Sequence, residues 1–139
     1  MSYEEKGQWV YIFSIGLTLL AYVLIVGTQA AAGPLTDWDY VPTLLWAIGI
    51  GIALSIAGRI LIEIARPSES YATDARDRDI GRFGEYVSGT VLGIGMVVPF
   101  ILALAEFDSF WIANAMYLAF ALAALIGTVV KVVAYRRGI

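Results

Sequence analysis

The sequence predicts an all-α membrane protein with four transmembrane helices, built as two repeated helical hairpins with both termini in the cytoplasm. Three observations lead there. Hydrophobic residues make up 60% of the chain and charged residues 15%, too little polar surface for a soluble domain. Four apolar segments each supply the roughly 20 residues needed to cross a hydrocarbon core of about 30 Å. Lys and Arg avoid two of the three loops that those segments define. Backbone groups in lipid must bond internally, which helices achieve. The alternating pattern of a membrane β-barrel is missing.

The four segments cover residues 9–27, 40–65, 86–105 and 110–135. The first does not read as a signal peptide, because Glu4 and Glu5 stand where a basic region would precede one. Together the segments form a single membrane domain over residues 1–139. Hairpin one takes residues 1–66, a cytoplasmic linker 67–82, and hairpin two 83–139. The nine basic residues fall at the N-terminus, around the central loop or toward the C-terminus. The other two loops carry Asp37, Asp39, Glu106 and Asp108. The positive-inside rule then places both termini and the central loop in the cytoplasm of a cell inner membrane. Trp9, Tyr11, Trp38, Tyr40, Tyr86, Trp111 and Tyr135 lie near span ends, as an aromatic belt requires.

The halves can be laid on each other. Gly7-Gln8-Trp9-Val10 matches Gly84-Glu85-Tyr86-Val87, and Arg59 matches Lys131. On the second helix of each hairpin, small residues recur every four positions. Thr43, Ala47, Gly51 and Ser55 lead to Arg59; Ala115, Ala119, Ala123 and Gly127 lead to Lys131. Such residues share a helix face and let backbones approach. Gly51, Ser55, Ala123 and Gly127 are therefore expected at a helix-packing face. Gly89 and Gly93 predict another on the third span, within the chain or in a homo-oligomer. Pro99 predicts a kink and frees the carbonyl of Gly95.

Histidine and cysteine are absent. The usual base near neutral pH, the thiolate nucleophile and the commonest metal ligands go with them. Triads and zincin motifs are excluded, and no enzymatic activity, cofactor or metal is expected. A net charge of −3 without a basic face predicts no nucleic-acid partner. Arg59 and Glu63 lie one turn apart near the cytoplasmic interface, where snorkelling and a local ion pair suffice. Ser55, Thr90 and Asn114 are the candidates for a polar cavity, although hydroxyls also bond their own helix and an amide bonds across helices. The acids of the two outer loops read as a solvated rim.

The stretch from Thr73 to Tyr86, TDARDRDIGRFGEY, concentrates charge. Asp74 suits a helix N-cap with Asp77 three residues on. Asp74 and Arg78 are an i,i+4 pair of favourable order, and Arg78 and Arg82 repeat the spacing on the same face. The segment is expected to be a helical lead-in to the third span. Its Arg76, Arg78 and Arg82 could dock anionic headgroups or a cytoplasmic protein.

DARDRDIGRFGEY, then FWIANAMYLAFALAALIGTVVK and the terminal YRRG, resemble small four-helix integral membrane proteins of bacteria and archaea whose function is uncharacterised. The likeness covers Asp74 to Gly138, and Ala75 stands where an acid is often found in that family. The resemblance implies a signalling or stress role, through frequent neighbourhood with helix-turn-helix regulators, and supplies no catalytic residue. The expectation is a non-enzymatic regulatory or scaffolding interaction protein in the lipid bilayer, self-associating, with a cytoplasmic partner at the central loop. The alternative is a small homo-oligomeric transporter or channel.

Overall fold

The computed structural model describes residues 2–138. Helix α1 spans Tyr3–Ala32, α2 Val41–Ala65, α3 Ala75–Gly95, α4 Val97–Leu104 and α5 Ser109–Arg137. A single 3₁₀ turn, Leu35–Asp37, sits between α1 and α2. No strand occurs among the described residues. The helices α1, α2, the consecutive pair α3 and α4, and α5 are each long and apolar enough to span a membrane.

The helix boundaries have local causes. The Ser2 hydroxyl accepts from the Glu5 amide at 3.1 Å, and acids fill the first turn of α1. Pro42 opens α2, where its missing N–H costs nothing. Asp74 starts α3 through a full capping box with Asp77. The expected helical lead-in is therefore real, and half of the 67–82 linker is helix. Asp108 caps α5 by accepting from the Phe110 amide at 2.8 Å, and Gly138 ends it with φ +72°.

The third span breaks at Met96, between α3 and α4. Pro99 has no N–H for the Gly95 carbonyl, so the helical ladder loses a rung there. Pro99 itself is fully buried, and α4 still packs on α5.

The main packing runs α2–α1–α5–α3, with α4 continuing α3 against α5. Helix α5 is central. Its buried residues include Ala119, Ala121, Ala123, Gly127, Thr128 and Ala134. Small side chains there bring α3 close, and the Ser88 hydroxyl donates to the Ala123 carbonyl at 2.9 Å. Large apolar side chains point outward on every helix, as suits a lipid surround. A two-fold axis that paired α1 with α5 would also pair α2 with α3, yet those two helices share no extensive contact.

Candidate functional site

Ionic chemistry collects at the end of the molecule that holds the N-terminus, the central loop and the C-terminus. The first turn of α1 lies at its centre. Lys6, 5% exposed, pairs with Glu63 at 3.0 Å and donates to the Arg66 carbonyl. Glu5, 8% exposed, pairs with Arg136 at 3.0 Å. Glu4 pairs with Arg59 at 3.5 Å. Three successive residues thus tie α1 to α2 and α5. Arg59 also donates to the Tyr3 hydroxyl at 3.1 Å and lies over its ring at 4.4 Å.

The local Arg59–Glu63 pair expected along α2 is not what forms. Both side chains reach to α1, because the charged first turn of α1 docks beside them and supplies partners of either sign. Glu63 accepts as well from the amide and hydroxyl of Ser68, which pins the start of the central loop. Tyr71 packs edge-on against Tyr3 at 5.3 Å. Loss of water around it and the nearby Glu63 carboxylate push the Tyr71 phenol above its ordinary pKa.

The three candidate arginines behave differently. Arg76 donates to the Tyr135 carbonyl at 3.3 Å, beside a Tyr135 hydroxyl that donates to Asp77 at 3.0 Å. This joins α3 to the end of α5. Arg78 and Arg82 are exposed, and among the described residues neither enters an ion pair. The expected Asp74–Arg78 pair is absent from that set, since Asp74 spends its carboxylate on the Asp77 amide at 2.7 Å. A cavity of about 770 Å³ opens among Tyr3, Glu5, Ser68, Asp74, Arg76 and Tyr135. Phenols, hydroxyls and carboxylates line it, with one guanidinium.

Ser55, Thr90 and Asn114 do not share a cavity. The Ser55 hydroxyl bonds the Gly51 carbonyl at 2.8 Å, and that of Thr90 bonds Tyr86 at 2.9 Å on the outer face of α3. Asn114 accepts from the Tyr22 hydroxyl at 2.6 Å and donates to Phe110 at 2.8 Å. It is the expected cross-helix amide, joining the two hairpins. Beside it, α1, α2 and α5 border an open groove of about 700 Å³ with predominantly aliphatic and aromatic walls, including Ile15, Ile52, Met116 and Phe120.

The packing candidates divide as well. Gly51 and Gly127 lie inside, against Thr18 and Ser88 respectively, and Ala123 is buried. Ser55 is half-buried at the groove. Gly89 and Gly93 are exposed, with nothing within 4 Å of where a Cβ would stand, so they make no contact inside the chain. In the matched ends of the hairpins, Gly7 packs on the Arg59 guanidinium and Gly84 on the Lys131 stem. No cluster of three acids able to hold a metal exists among the described residues, the outer rim included.

Sequence reasoning missed the burial of Glu5 and Lys6, and the indole N–H of Trp9, buried without an acceptor. The available signal was a Glu-Glu-Lys triplet at the same end as Arg59, Glu63 and Arg136, with opposite charges to match. Comparison of the chain with protein families, curated proteins and solved structures finds no match.

Proposed function

We propose that the chain is a non-enzymatic, multi-pass membrane protein that docks a cytoplasmic partner at its charged end. The observation that carries this reading is the contrast among the arginines of α3. Arg76 is held by Tyr135, while Arg78 and Arg82 project from the capped α3 helix and enter no ion pair among the described residues. Anchored helices with free guanidinium groups suit an acidic protein surface. The ion pairs made by the buried Lys6 and Glu5 brace that end. The distribution of Lys and Arg supports a cytoplasmic location for it in an inner membrane. The matching glycine contacts on Arg59 and Lys131 support descent of the hairpins from one repeat.

Reversing Arg78 and Arg82 to Glu, with Arg76 left in place, should abolish capture of a specific partner from solubilised membranes while insertion and helix content stay unchanged. An identical set of captured proteins with the wild-type and reversed chains would overturn the reading. The break at Met96 favours a second one, a small homo-oligomeric transporter or channel. Solute flux in proteoliposomes equal to that of empty liposomes removes it.

A further inference from the structure

We propose that the groove bordered by α1, α2 and α5 holds one acyl chain of a phosphatidylethanolamine-type lipid, whose zwitterionic headgroup rests on Arg59 and Glu4. The groove is concave and about 700 Å³ in volume, within the range of roughly 300–1,000 Å³ usual for ligand sites. Along α2 it runs from Leu44 to Ile56, a length of about 18 Å at the helical rise per residue. One leaflet is half of a hydrocarbon core of about 30 Å, so a single chain lies in it lengthwise. The Thr18 and Ser55 hydroxyls on its wall are already bonded to carbonyls of their own helices, at 2.9 and 2.8 Å. That leaves two phenols, Tyr11 and Tyr117, in a wall otherwise mostly aliphatic and aromatic. A polar solute would lose its water there without enough bonds in return.

An apolar groove alone does not name its occupant. Its mouth does. Arg59 lies one helical turn beyond Ser55, and Gly7 one turn beyond Tyr11, toward the charged end. The Arg59 guanidinium rests on Gly7, 3.2 Å from where a Cβ would stand, and so closes that end of the groove. It donates through Nε to the Tyr3 hydroxyl at 3.1 Å and reaches Glu4 at 3.5 Å. The second contact is long for a charge-assisted bond. Both side chains stay partly exposed, Arg59 at 39% and Glu4 at 30%. A cation and an anion thus stand side by side where the groove meets the headgroups, each with bonding capacity left. A zwitterion fits both. Phosphate oxygens accept from the guanidinium, and a primary ammonium donates to the carboxylate. Phosphatidylglycerol would set its phosphate beside Glu4 with no cation of its own. A choline headgroup carries a cation without an N–H to donate.

The test uses the full chain in vesicles of equal phosphatidylethanolamine, phosphatidylglycerol and phosphatidylcholine, extracted in mild detergent and weighed by native mass spectrometry. One phosphatidylethanolamine per chain should be retained, about two- to fivefold over either competitor, the worth of one exposed ion pair. Glu4→Gln should erase the preference over phosphatidylcholine while a phospholipid is still held. A fall of all three lipids together would instead give Glu4 a structural role and overturn the headgroup assignment. Ala124 lines the groove, and Ala124→Phe fills it with both charges in place. That variant should lose the lipid with helix content retained. Equal retention of the three lipids, a preference for phosphatidylglycerol, retention unchanged by Ala124→Phe, or a lipid-free dimer would overturn the proposal. Arg78 and Arg82 take no part, so partner capture that fails while this pattern holds counts against the docking reading alone.

Discussion

The two hairpins carry the same contact and pack to different depths. In each, a glycine of the first helix lies on the basic residue of the second, Gly7 on Arg59 and Gly84 on Lys131. Beyond that contact they diverge. A third of the apolar stretch of α5 is buried (33%), whereas Gly51 is the single buried residue of α2. Helix α5 has neighbours on several sides in α1, α3 and α4, whereas α2 leans on α1. Ser55 and Gly127 occupy matching positions in their stripes. Ser55 borders an open groove, and Gly127 sits under Ser88 and the Gly84 carbonyl. A small-residue stripe is thus permission for close packing, and a neighbour must arrive to use it.

The sharpest way to break the comparison is to place valine at both matched positions. At Gly127 a Cβ would stand 2.7 Å from the Ser88 Cβ and 3.0 Å from backbone oxygen. Gly127→Val should therefore cost about 3 kcal/mol, the upper part of the overpacking range. Ser55→Val, beside the groove, should cost under about 1 kcal/mol. Reversible unfolding in bicelles reads both, and equal costs would erase the distinction between the hairpins.

A smaller effect belongs to the bond that joins them. Tyr22→Phe removes the hydroxyl donor to Asn114 and should cost about 1 kcal/mol. A double-mutant cycle with Asn114→Ala should return that energy as coupling. Coupling near zero would mean that α1 and α5 are held by shape alone. Smallest is the pair of helix starts. Asp74→Ala loses a two-way capping box and Ser2→Ala a single cap bond. About 0.5 kcal/mol is expected at Asp74 and less at Ser2, read as faster amide exchange in the first turn of α3 than of α1.

Much of this was legible in the sequence, and for local reasons. Asp74 and Asp77 announce a capping box through spacing alone, and the break at Met96 follows from Pro99 four residues after Gly95. Asn114 was readable as a cross-helix amide, though not its partner Tyr22. The cavity expected of Ser55, Thr90 and Asn114 was not there, because each hydroxyl turned to a carbonyl one turn back on its own helix. The ion pairs of Lys6 and Glu63 were also out of reach, since two residues 57 apart meet only once α1 and α2 are side by side.

By itself, the sequence determined the four apolar spans, their breaks and caps, and the gathering of basic residues at one end. Each of these depends on transfer energy along the chain or on neighbours within a turn. Only the tertiary structure decided which faces of the helices look inward. It buried Gly51 and Gly127 and left Gly89 and Gly93 open, and it drew Arg59 and Glu63 to α1 rather than to each other. The physical reason is the solvent. Lipid tails are as apolar as a protein interior, so inside and outside carry no hydrophobic contrast for a sequence to record. Helix rotation is then settled by fit and by the few polar groups, which only a neighbour can satisfy.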